Sequence, residues 1–158
     1  MIKGLVTIGT TTFDSLIKVL DKPSEKVSMK FQIAGGIYKP VNHDYEKFIP
    51  DIQSHYSEFD FIVTHAGAGS VYTLLESPMK FAVVANVERS DDHQLELARF
   101  VGSNNYAQTY TVDELQALSL LQIYETIIGK DCVKYKKEVF FKGKEIIDYI
   151  QGNGGGIS

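Results

Sequence analysis

The chain has 158 residues, 44% of them hydrophobic and 23% charged, with a formal net charge of −4. That length and balance fit one domain that buries a core without disulfides or metals. The acidic charge argues against a bulk nucleic-acid binder, which carries a basic face, yet leaves room for a local anion site made of backbone N–H groups.

In chain order, Ile2 to Ile8 reads as a strand broken by Gly9-Thr10-Thr11-Thr12. Phe13, Leu16, Ile17 and Leu20 then recur with helical spacing, Thr12 being the expected N-cap and Pro23 the stop. Val27 to Ala34 is a second strand, ended by Gly35-Gly36. A loop with Pro40 and Asn42 leads to a short strand near Tyr45 to Ile49, and Pro50-Asp51 opens a helix to about Glu58. Phe59 to Thr64 is the clearest buried strand. It runs into His65-Ala66-Gly67-Ala68-Gly69-Ser70 and a helix to about Glu76. Phe81 to Ala85 is a strand, Asp91 to about Phe100 a helix, and Tyr106 to Tyr110 the last strand. Thr111 with Glu114 forms a capping box for a helix carrying Leu115, Leu118 and Leu121. A C-terminal helix is expected over 144–151, so residues 1–151 make the single domain and 152–158 a flexible glycine-rich tail.

Strands separated by helices, without hairpin turns, indicate an α/β fold with a Rossmann-like, doubly wound parallel sheet. Ligands of such sheets bind beyond the carboxyl ends of the strands. Cys132 is the single cysteine, so neither an intrachain disulfide nor a thiolate metal cluster is expected. The opening MIKGLVTIG reads as a strand and not as a signal peptide, and the longest apolar runs fall short of the ~20 residues of a spanning helix. A cytoplasmic protein, peripheral to any membrane, is the expectation.

Three turns are able to carry chemistry. In His65-Ala-Gly-Ala-Gly-Ser70 the glycines either let a phosphate approach the backbone at a helix N-terminus or merely permit tight strand–helix packing. The spacing is neither a dinucleotide fingerprint nor a P-loop. Gly9-Thr10-Thr11-Thr12 offers hydroxyls to a diphosphate, or a simple cap. Asp91-Asp92-His93-Gln94 opens a helix, where acidic residues suit the dipole, or serves polar contacts to a sugar. His43, His55 and His65 are scattered without ligand spacing, so no metal site is expected. Lys130, Lys134, Lys136, Lys137, Lys142 and Lys144 are interleaved with Tyr135, Phe140 and Phe141, either a solvated face or a surface for a partner.

Taken together, VTIGTTTFDSLI at 6–17, QIAGG at 32–36, FDFIVTHAGAGSVYTLLE at 59–76 and DDHQLELA at 91–98 resemble the Alg13/PssE-type glycosyltransferase subunits. These in turn resemble the donor-binding, C-terminal half of family 28 glycosyltransferases. The resemblance implies one half of a GT-B enzyme, whose Alg14/PssD-like, membrane-associated partner supplies the acceptor site and the general base. It implies a UDP-sugar donor, either UDP-GlcNAc or UDP-Gal/Glc, and no obligatory metal or cofactor. It also implies inverting transfer to a lipid-linked sugar acceptor in exopolysaccharide, capsule or glycolipid synthesis. Residue by residue, Gly9, Thr10, Thr11, His65, Gly67, Ala68, Gly69 and Ser70 match the diphosphate contacts. Phe48 and Ile49 match the uracil segment, and Asp92, His93 and Gln94 the stretch that faces the donor sugar. Thr73 stands where longer members have a ribose-binding glutamate, with Glu76 one turn further on as the expected substitute. A noncatalytic accessory subunit and an acceptor-independent epimerase-like enzyme are the alternative readings.

Overall fold

The β-branched run at the start of the chain forms β1 (Ile2–Thr7). β1 sits inside a six-stranded sheet in the order β3-β2-β1-β4-β5-β6, parallel throughout. The other strands are β2 (Val27–Gln32), β3 (Asp44–Glu46), β4 (Phe61–His65), β5 (Phe81–Val84) and β6 (Gln108–Tyr110). The computed structural model describes residues 1–88 and 92–136. Asp91, the basic and aromatic residues from Lys137 onward, the helix expected over 144–151 and the tail 152–158 lie outside the described residues.

The alternation of each strand sends apolar side chains to both faces, and each face acquires its own helices. On one face Val6, Phe31, Val63 and Val84 meet α1 (Asp14–Leu20), α4 (Val112–Gln116) and α5 (Leu120–Gly129). On the other, Leu5, Ile62 and Val83 meet a 3-10 helix (Ile52–Glu58), α2 (Ala68–Leu75) and α3 (His93–Ser103). Gly4 lies mid-strand because Phe61 and Met29 fill the space above it: a Cβ there would sit 2.5 Å from Phe61 Cζ. The chain leaves β1 for β2 on one side and returns to β4 on the other, so the strand order reverses between β1 and β4. At such a reversal the two adjacent crossovers diverge and open a crevice at the carboxyl edge.

The capping box Thr111–Glu114 forms as expected, with both reciprocal hydrogen bonds present. Its helix is shorter than the leucine spacing implies. It ends at Gln116, and Ser119 with Gln122 makes a second capping box that starts α5, placing Leu121 on a separate helix from Leu115. β2 stops at Gln32 and not at Ala34, which adopts a left-handed φ of 51°. The strand expected over 45–49 is the three-residue β3, and the helix from Pro50 is a 3-10 helix. Thr12 does not cap α1. Phe13 holds the N-cap position without a side-chain bond, and the Ser15 N–H and hydroxyl both donate to the Glu88 carboxylate from the β5–α3 loop.

Candidate functional site

The turns after β1 and β4 flank the strand reversal, and one histidine ring fills the space between them. His65, the last residue of β4, is 7% exposed. A Cβ on Gly9 would lie 2.9 Å from His65 Nε2, and one on Gly67 would lie 2.4 Å from His65 Cε1. Gly9 also takes φ +64°, which side chains rarely adopt. At both positions the missing side chain leaves room for the imidazole. Gly69 differs, because a Cβ there would meet nothing within 4 Å. It lies in the first turn of α2, where Gly67 is the N-cap and makes no side-chain capping bond. The N–H groups of Ala68, Gly69 and Ser70 belong to that turn and have no intrahelical acceptor, so the positive end of α2 opens beside exposed Gly69 and half-buried Ser70.

Three buried carboxamides tie the loops around this corner together. Gln94, 6% exposed, accepts at Oε1 from Ala66 N–H (3.2 Å) and Asn86 N–H (3.0 Å), and its Nε2 is 3.4 Å from His65 Nδ1. Asn86, 2% exposed, donates from Nδ2 to the Thr12 carbonyl (2.9 Å) and accepts from Glu88 N–H. Gln32, 3% exposed, donates to the Gly9 carbonyl at 2.9 Å and accepts from Ile49 N–H at 3.1 Å. A carboxamide carries one acceptor and one donor on a neutral group. It satisfies a buried N–H and a buried C=O at once without placing a charge beside the cleft.

The structure thus brings Gly9, Thr10, Thr11, His65, Gly67, Ala68, Gly69 and Ser70 to one corner, Thr10 being exposed and Thr11 half-buried. Ile49 is buried and its N–H is taken up by Gln32, while Phe48 stands 61% exposed on the neighbouring loop. Thr73 donates to the Gly69 carbonyl (2.8 Å), with Gln53 Nε2 from the 3-10 helix 3.5 Å from its hydroxyl. Glu76 is not part of this corner. It follows α2 as its C-cap and lines a cavity of about 430 Å³ at the opposite, amino edge of the sheet, together with Phe81, Tyr106 and Tyr135. Asp92 is exposed at the N-cap of α3, His93 is half-buried, and Gln94 points its amide inward. No motif in the sequence singles out Asn86, Gln53 or Glu88. Gln32 was present only as a letter in QIAGG. The available signal was a polar side chain ending an otherwise apolar strand run, as Asn86 does after FAVVA. Among the described residues no group of three or more His, Cys, Asp or Glu is placed to hold a metal ion, and no helix is long and apolar enough to cross a membrane.

A parallel sheet whose order reverses at β1 and β4 defines a doubly wound α/β domain, a class of fold whose ligands bind beyond the carboxyl ends of the strands. The model of the glycosyltransferase family 28 C-terminal domain matches residues 5–150, and the chain belongs to that family. The chain is 32% identical over 109 residues to the human UDP-N-acetylglucosamine transferase subunit ALG13, covering 60% of this chain and 10% of that protein. To the subunit of the same name from Cryptococcus neoformans it is 31% identical over 110 residues, 67% of this chain and 53% of that protein. It therefore spans about half of the fungal relative and a tenth of the human one. The MurG structure of Acinetobacter baumannii matches with a TM-score of 0.57 at 18% identity, over 96% of this chain and 52% of that chain. The fold is that of one half of a GT-B glycosyltransferase.

Proposed function

We propose that this chain is the donor-binding, catalytic subunit of a heteromeric glycosyltransferase that takes a UDP-sugar and works only with a partner. The observation that carries the reading is the open N-terminus of α2 at the strand reversal, where Gly69 faces empty space while Gly9 and Gly67 are closed by His65. A diphosphate placed there meets the first-turn N–H groups of Ala68, Gly69 and Ser70, the Ser70 hydroxyl, and the hydroxyls of Thr10 and Thr11. The same groups stabilise the charge that builds on UDP as the sugar leaves, so the transfer needs no metal. Phe48 and Ile49 border the base, and Thr73, whose hydroxyl is 3.5 Å from Gln53 Nε2, takes the ribose side. Asp92 and His93, at the start of α3, face the sugar, with Gln94 behind them fixing the turn.

In this reading a general base on an Alg14/PssD-like, membrane-associated partner deprotonates the acceptor hydroxyl, which attacks the anomeric carbon with inversion. The acceptor is a lipid-linked sugar of exopolysaccharide, capsule or glycolipid assembly, and UDP-GlcNAc is the donor that the names of the ALG13 relatives favour. The protein then acts in the cytoplasm at a membrane surface through its partner. Calorimetry with UDP in EDTA is the test: binding without Mg²⁺, weak for the chain alone and stronger with the partner, is expected. No UDP binding even in the complex would remove the proposal.

One observation favours an accessory role instead. No carboxylate stands at Thr73 to grip a ribose, and Glu76 lies at the far edge. Under the catalytic reading Glu76→Ala leaves transfer by the complex unchanged, because Thr73 and Gln53 serve the ribose. A complex that transfers sugar with the α2 turn blocked by Gly69→Arg would make this chain the accessory subunit.

A further inference from the structure

The geometry points to Gln32 as a positioning residue that sets the spacing between the two ends of the donor site; the inference rests on the donor-site reading above. Gln32 ends β2 with its side chain turned inward and 3% exposed. One end of its amide donates to the Gly9 carbonyl at 2.9 Å, and the other accepts from Ile49 N–H at 3.1 Å. These partners fix the amide orientation, because a carbonyl requires the NH₂ end and an N–H requires the oxygen. Neither a carboxylate nor an alkyl chain supplies both.

The consequence follows from peptide planarity. In a trans peptide the C=O of one residue and the N–H of the next point in opposite directions, and the described chain contains no cis peptide. Drawing the Gly9 carbonyl toward Gln32 turns the Thr10 N–H away from it, toward the exposed side of the β1–α1 loop. Drawing Ile49 N–H inward likewise turns the Phe48 carbonyl outward. One buried amide therefore aims a donor in the loop assigned to the diphosphate and an acceptor in the segment assigned to the base. It also locks the distance between them. Gln32 touches no donor atom itself. Its contribution is preorganisation, which lowers the ordering cost of binding a nucleoside diphosphate.

The test is UDP affinity of the wild-type chain and of Gln32→Glu and Gln32→Leu, measured in EDTA at pH 7.5 and pH 5, at temperatures where all three are folded. At pH 7.5 Gln32→Glu is expected to bind UDP about tenfold more weakly, having lost the donor to Gly9 and gained a charge facing a carbonyl. Burial raises the carboxyl pKa, so by pH 5 the acid is protonated and donates again. The affinity ratio of wild type to Gln32→Glu then falls to within about twofold, the size of a single weak interaction. Gln32→Leu stays weak at both pH values. Comparing ratios at each pH removes the titration of UDP itself. Equal affinity of Gln32→Glu at pH 7.5, or a loss that does not recover at pH 5, overturns the inference. So does faster hydrogen exchange of the Ile49 amide in Gln32→Leu with unchanged UDP affinity, which would leave Gln32 a strut with no bearing on the donor. Failure of the wild-type chain and its complex to bind UDP is a separate result, and removes the donor-site reading together with this one.

Discussion

The two edges of the sheet are built from different materials. At the carboxyl edge the turns are made of glycine, alanine and small hydroxyl residues, and three buried carboxamides in backbone hydrogen bonds hold them around the buried His65 ring. At the β5–β6 end of the amino edge aromatic bulk does most of the holding, whereas near β2 the buried Asp21 carboxylate accepts from the Tyr38 hydroxyl and from the Val41 and Asn42 N–H groups. Tyr72, Tyr106 and Tyr135 stack edge-to-face at 5.4 and 5.8 Å around the segment that leaves α5, beside the cavity lined by Glu76, Lys80 and Lys134. Aromatic packing tolerates small shifts because its attraction is spread over many atoms. A hydrogen-bonded turn does not, since a misplaced donor costs its full desolvation. The contrast sets turns fixed by directed hydrogen bonds, where the proposed donor site lies, against an aromatic corner held by contact area.

The strongest challenge to that contrast is Gln94→Leu. It strands the buried Ala66 and Asn86 N–H groups and removes the amide beside His65 Nδ1, and we expect a loss of about 2–4 kcal/mol in urea unfolding from two unpaired donors. A loss below about 0.5 kcal/mol, the range of an ordinary surface change, would mean that the carboxyl edge is no more demanding than the rest. The paired glycines sharpen the point within one turn. Gly67→Ala drives a methyl group into the His65 ring and should cost about 1–3 kcal/mol. Gly69→Ala, two residues on and facing open space inside α2, should raise stability by up to about 1 kcal/mol. Equal melting temperatures for the two variants would show that His65 yields.

Much of this was legible beforehand, for identifiable reasons. The continuous apolar run in FDFIVT marks a strand buried on both faces, and the stripe Phe13, Leu16, Ile17, Leu20 marks a helix with one apolar face, so β4 and α1 lie within two residues of their expected bounds. The Thr111–Glu114 box is a local hydrogen-bond pattern and was readable for that reason. The two roles of the glycines were not separable, because whether Gly9 and Gly67 meet a ligand or an imidazole depends on where His65 points once β1 and β4 pair. The N-cap at Thr12 failed for a similar reason: a residue 73 positions away, Glu88, reaches Ser15 only in the folded sheet. Tyr135, set in a lysine-rich stretch, reads as a surface aromatic until Tyr72 and Tyr106 are seen against it.

The smallest expected effect tests the amino edge on its own terms. The Tyr72 hydroxyl is buried without a hydrogen-bond partner, and burial, reinforced by Tyr135 and Tyr106, pushes its pKa up to about 12. Removing an unpaired buried hydroxyl forfeits no hydrogen bond, so Tyr72→Phe should leave stability near neutral pH unchanged or raised by up to about 1 kcal/mol. The sign of the pH effect follows from the raised pKa. Folding favours the neutral phenol, so the stability it carries is whole below the unfolded value near 10 and is lost as pH rises from 10 to about 12. Urea midpoints of wild type and Tyr72→Phe should therefore run parallel up to pH 10 and separate above it, the variant falling less steeply. Tyr135, also raised by burial, leaves a residual slope in both. Should Tyr72→Phe instead lose more than about 1 kcal/mol at neutral pH, the hydroxyl has a partner, and the aromatic corner relies on a directed polar contact as the carboxyl-edge turns do.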